Sequence, residues 1–185
     1  MKNLFLILFS LSFLFACQPE PVLEPDLLTN NDFEESDNDY TGWFANNSAG
    51  AVAISREEAR SGDQSIVLRS LASGNNISFI AQNFRDFEPG KKVKLSAFIK
   101  LEELEGEGLS IVVRGDTDDP NPSAEWFHTT QGRVLITGDH KWEEYTLTTD
   151  DVIPASITNL TVYIVYLPNT SGSAWVDDIS LNYVD

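Results

Sequence analysis

The sequence predicts an all-β sandwich. Three observations carry that expectation. Short runs rich in β-branched and aromatic residues recur at a spacing of about ten residues, as in sandwiches and barrels. Gly, Asn, Asp and Pro separate them. No stretch after the N-terminal apolar run sustains a helical period, so the alternating helix–strand pattern of a parallel α/β sheet is absent.

The runs, in order, are GAVAIS, QSIVLRS, NISFIAQNF, KVKLSAFIKL, LSIVVRG, GRVLIT, KWEEYTLT, NLTVYIVYL and SAWVDDISL. EPGKK places Pro89 and Gly90 in turn positions ahead of a strand expected over Lys92–Leu101. DTDDPNPSAE is polar and carries two prolines, so it reads as a loop that cannot continue a sheet. SREEARSG is the best helical candidate and is long enough for only a turn or two. No internal repeat and no second domain are visible.

The chain opens MKNLFLILFSLSFLFAC, a lysine followed by an apolar run of about a dozen residues, which is the pattern of a secretory signal. Leu14-Phe15-Ala16-Cys17 resembles a bacterial lipobox, with Phe15 bulkier than usual, so residues 1–16 are expected to be removed and Cys17 lipidated. Cys17 is the only cysteine, which leaves the domain no disulfide. Residues 17–26 hold three prolines and three carboxylates within QPEPVLEPD, an extended spacer of about 3 Å per residue. Residues 27–185 then form one domain of ordinary size. The expected location is the bacterial cell envelope, lipid-anchored, with the acidic spacer suggesting the outer membrane and its outer face.

Charge narrows the function. Twelve Lys and Arg stand against 29 Asp and Glu, a net charge of −17. Such a field opposes nucleic acid and anionic polymers, and it suits divalent cations and neutral ligands. Enzyme signatures are missing: there is no G-x-S-x-G nucleophile, phosphate loop, metal-binding histidine pair or C-x-x-C. His128 and His140 read as loop or strand-end residues, so no catalysis is expected.

SAWVDDISLNYVD poses a local problem, because aspartate is depleted in strands. Alternation puts Trp175, Asp177, Ile179 and Leu181 on one face and leaves Asp178 on the polar one, open to water. A buried Asp177 needs a partner. One is a calcium ion near the chain ends, shared with Glu34 of NNDFEES and with backbone carbonyls of the Arg60–Asp63 turn, since calcium takes about six to eight oxygens. Backbone amides or a lysine are the alternative.

NNDFEESDNDYTGWF, EEARSGDQSIVLRS, NFRDFEPGKKVKLSAFIK, TGDHKWEEYTLT and SAWVDDISL occur in an order that resembles the carbohydrate-binding modules of families 4, 9 and 22, also appended to bacterial cellulases and xylanases. The resemblance covers residues 27–183. It implies a jelly-roll β-sandwich of the galactose-binding-domain-like kind, with a structural calcium whose acidic ligands fall on Glu34 and Asp177. It also implies a sugar groove on one sheet, lined by aromatics that stack on sugar rings and polar groups that orient them. Candidates are Trp126 foremost, then Phe127, Arg114, Tyr163, Tyr166, Gln82 and His128. Tyr163 and Tyr166 differ by three and so point to opposite faces. Trp43 and Trp142 stand in the recurring motifs, and Trp175 shares Asp177's face, so all three are expected in the core.

The function implied is non-catalytic binding of polysaccharide or oligosaccharide by a tethered lipoprotein, concentrating glycan for neighbouring degrading enzymes or transporters. The other class is an adaptor lipoprotein that uses the sandwich to bind a protein partner.

Overall fold

A computed structural model describes residues 26–36, 39–46, 51–70, 77–118 and 126–184; the signal, Cys17 and nearly all of the spacer lie outside them. Nine strands are described, and no helix. They are β1 (Phe44–Asn46), β2 (Val52–Ser55), β3 (Ser65–Arg69), β4 (Ser78–Phe84), β5 (Lys92–Asp116), β6 (Trp126–Thr129), β7 (Ile136–Thr148), β8 (Asn159–Tyr166) and β9 (Ser171–Val184). SREEARSG forms bends rather than a helical turn.

Every pairing is antiparallel, and β5 is shared by two layers. Its first half pairs with β9 on one side and β7 on the other. Its second half pairs with β8 and β6. One layer therefore runs β2–β3–β9–β5–β7 and the other β1–β4–β8–β5–β6. The sequence reads this strand as two runs, KVKLSAFIKL and LSIVVRG. The structure carries it through, with Glu103, Gly106 and Gly108 at positive φ and shifts of register marking the passage between layers.

Alternation fills the space between the layers. Val93, Leu95, Ala97, Ile99 and Leu101 of β5 are inward and fully or almost fully buried. Ile66 and Leu68, Ile80, and Val162 and Ile164 meet them from β3, β4 and β8. Burial of such side chains is worth about 1.5–3 kcal/mol each, which is how a fold without a disulfide holds. Trp43 joins this core against Phe33, at 5.4 Å between ring centroids, and its Nε1 donates to the Asn30 carbonyl. Trp142 differs from expectation. It is half-buried on the edge strand β7, outside the core cluster.

The two chain ends lie side by side. Leu27 N donates to Leu181 O and Ile179 N to Asn31 O, while Asp26 Oδ1 accepts from the amides of Leu28 and Leu181. The segment after Asp26 thus runs along β9 without becoming a strand.

Candidate functional site

The outer face of the β1–β4–β8–β5–β6 layer carries a groove of about 360 Å³. Register builds it. Phe79 stands across from Val165, Tyr163 from Val112, Val165 from Ser110, and Phe127 from Arg114. Phe44, Phe79 and Tyr163 form an aromatic row across three strands, each neighbouring pair edge-to-face, with centroids 6.1 and 5.4 Å apart. Phe127, 52% exposed, rises from β6 on the other side. Val112, Val165, Ile77 and Leu167 supply aliphatic surface between the walls. Arg114 is the one charged side chain among the described lining residues, and its Nε and Nη2 both donate to Asp116 Oδ1, at 2.8 and 2.6 Å.

Several expected site residues belong elsewhere. Trp126 is 6% exposed and points inward, its Nε1 donating to Asp151 Oδ1 at 3.0 Å. His128 is buried on the same inner side. Its Nε2 lies 2.8 Å from the same Asp151 oxygen without meeting hydrogen-bond geometry. The two residues brace β6 from behind, and the residue between them, Phe127, is thereby thrust into the groove. Gln82 is buried and its amide is spent on Thr29, accepting from its N–H and donating to its carbonyl, both at 2.9 Å. Tyr166 is a core residue whose hydroxyl donates to Gly172 O, and burial pushes it up to about 12. Of the sequence candidates, Phe127, Arg114 and Tyr163 come together in the groove. Phe44, Phe79, Ile77, Val112 and Val165 were missed, although alternation within SFIAQNF and NLTVYIVY already puts Phe79 and Val165 on the face opposite the core.

At the chain ends, the turn over 60–64 gathers the two acidic residues singled out in the sequence. Asp177 is wholly buried, yet not on the core face. Phe98 pairs with Asp177 and Ser96 with Ser180, so two residues oppose the single Ala97, and Asp178 sits at φ +46°. This bulge switches parity. Trp175 and Asp177 face outward, whereas Ile179 and Leu181 face the core. Trp175 is buried on the outer face, not within the sandwich.

The turn caps Asp177. Its Oδ2 accepts from the amides of Arg60 (2.8 Å) and Ser61 (3.2 Å), and its Oδ1 from the amide of Asp178. Burial nonetheless raises its carboxyl to about 6. Asp178 is no free surface acid, since Arg60 Nη1 and Ser61 Oγ both donate to it, at 2.6 and 2.8 Å. Glu34 Oε1 accepts from the amides of Asp63 and Gln64, both at 2.9 Å. Gly62 makes that approach possible: it holds φ +58°, and a Cβ there would fall within 2.9 Å of three Glu34 side-chain atoms. Where the sequence reading assigns the carbonyls of Arg60 and Asp63, the structure turns their N–H groups to the two carboxylates.

No family model and no curated protein matches the chain. Solved structures do. A family 61 carbohydrate-binding module in complex with β-1,4-galactotriose superposes with a TM-score of 0.59 at 14% identity, covering 87% of this chain and 100% of its own. A family 16 carbohydrate-binding module gives 0.61 at 16%, covering 86% and 100%. The family 22 xylan-binding domain of Paenibacillus barcinonensis Xyn10C gives 0.57 at 17%, covering 88% and 96%. The chain has the jelly-roll fold of carbohydrate-binding modules. At these identities the likeness is one of fold, and the site must be argued from its own residues.

Proposed function

We propose that the protein binds a neutral glycan non-covalently in the groove between Phe127 and the Phe44–Phe79–Tyr163 row. One observation carries this reading: aromatic side chains stand on both sides of a groove on a single sheet face. Aromatic faces meet the C–H faces of sugar rings, and rings already packed against one another lose little freedom on binding. Ser110, Thr129, Gln131 and Arg114 offer polar groups beside them. Neutrality follows from Arg114, whose charge is already matched by Asp116. The galactotriose and xylan named for the similar modules are ligands of this neutral kind. In this reading a lipid on Cys17 and the acidic spacer hold the domain at the cell envelope, where it concentrates glycan for neighbouring degrading enzymes or transporters.

A structural calcium at the chain ends belongs to the same reading. Its support is the oxygen chemistry of Glu34, Asp177 and Gln64, the donor type of a hard cation, though among the described residues no three acidic, His or Cys side chains gather. Glu34 and Asp177 meet one turn, and Gln64, from that turn, has a buried Oε1 without a hydrogen-bond partner while its Nε2 donates to the Phe33 and Ser36 carbonyls. Calcium would supply the positive charge that buried Asp177 lacks.

Affinity electrophoresis against neutral galactan, xylan and glucan tests the glycan reading. Retardation by at least one polymer is expected, weakened about tenfold in Phe127→Ala, a loss of about 1.4 kcal/mol. A protein that migrates unretarded through all three, with its fold intact, supports the adaptor class instead.

A further inference from the structure

The opposite face of the molecule carries a second cleft, of about 610 Å³, over β2, β3 and β9. It shares no residue with the aromatic groove. Register sets its floor: Ala53, Val67 and Trp175 form one row across the three strands, and Arg69 stands across from Ser173 in the next. The Trp175 indole is fixed. Its Nε1 donates to Ser55 Oγ at 3.2 Å, and Lys100 Nζ lies 5.0 Å from the ring centroid, itself held by Glu58 at 2.6 Å. Tyr40 forms a wall, anchored through its hydroxyl to the Val52 carbonyl.

Charge makes this cleft unusual. The chain has more than twice as many acids as bases, and Arg60, Arg85, Arg114 and Arg133 each meet an aspartate. Arg69 is exposed at the rim, and its guanidinium makes no hydrogen bond or ion pair among the described residues. Arg56 and Glu57 line the same rim. A guanidinium presents paired N–H donors in a planar fork that matches a carboxylate. Beside it are two positionally fixed aromatic side chains and the hydroxyl-bearing Ser173, the residue types that receive a sugar ring.

We propose that this cleft is a second saccharide site, selective for a uronic acid residue. Arg69 takes the sugar carboxylate, while the half-buried Tyr40 and the small exposed part of Trp175 border the ring. The chain, with its net charge of −17, repels densely charged polymers, so the ligand is a short or sparsely acidic oligosaccharide. This inference does not depend on the groove reading.

The test is titration of the protein with the trimers of galacturonic, glucuronic and mannuronic acid, followed by proton–nitrogen correlation spectra, with β-1,4-galactotriose as the uncharged control. At least one acidic trimer is expected to move the Trp175 indole and Arg69 Nε signals. Its Kd should weaken about tenfold in Arg69→Gln. It should weaken also in Arg69→Lys, which keeps the charge and loses the fork, and stay unchanged in Phe127→Ala. Three results each overturn the proposal: no acidic trimer reaching Trp175, equal affinity in Arg69→Gln or Arg69→Lys, or inorganic sulfate reproducing the shifts at the same concentration.

Discussion

Protonation of Asp177 should stabilise the metal-free protein as pH falls, which is opposite to the usual behaviour of a native carboxylate. Its carboxyl rises from 3.8 to about 6 in the fold because burial outweighs the amide donors of Arg60 and Ser61. The native state therefore holds the proton more tightly than the unfolded chain between those two values. The destabilisation is fully present above the folded value and disappears as pH falls towards the unfolded one. A rise of about two units corresponds to about 3 kcal/mol, at about 1.4 kcal/mol per unit. Asp39 and Asp150 are held low by their hydrogen bonds to Thr41 and Arg133, and they act against this trend at the acid end. The clean quantity is thus a difference. Urea unfolding in EDTA between pH 7.5 and 4.5, for the native protein minus Asp177→Asn, should rise by about 2 kcal/mol as pH falls. A flat difference, or one that falls, would refute burial as the controlling influence on this carboxyl.

Three further outcomes are expected. Calcium at about a hundred times its Kd should stabilise by about 2.7 kcal/mol, read as a rise in Tm that Glu34→Gln abolishes; an unchanged Tm counts against the metal. Asp151→Ala leaves the buried Trp126 Nε1 without an acceptor, at a cost of about 1–3 kcal/mol. Amide exchange should then quicken in β6 but not in β8, glycan retention should fall, and Asp151→Asn should restore much of both. Trp126→Ala should destabilise by about 3–5 kcal/mol as a core truncation, whereas Phe127→Ala should stay within about 1 kcal/mol in stability and act on ligand retention. The reverse pattern in urea unfolding would exchange their roles.

Much of the fold was legible because strand alternation is local. Runs such as KVKLSAFIKL and QSIVLRS announce their conformation, and Trp43 sits in the core as its motif implies. Their partners are not announced. The stretch between KVKLSAFIKL and LSIVVRG is a joint within β5, because β7 pairs on both sides of GEG while β9 pairs before it and β8 after it. The same limit governed Asp177. The sequence identified it as a buried acid needing a partner, but counted faces straight through a bulge that only the register against Phe98 and Ser96 exposes.

The groove shows why parity must be anchored before a binding residue can be chosen. WFHT offers two large aromatics in adjacent positions, and strand geometry commits one to each face. The preceding Pro-rich loop favours Trp126 as the exposed one. Nothing within four residues decides, because an edge strand this short has no hydrophobic period of its own. The decision comes from outside it. β5 turns Val113 inward opposite His128, so Phe127 must share the outer face with Arg114 and Val112. Asp151 then fixes the choice by accepting from the inward Trp126, and a solvent-facing indole there would forfeit that bond. The brace and the groove wall are thus one structural decision, so a change at the exposed Asp151, which braces β6 from the face opposite the groove, should be felt by a ligand in it.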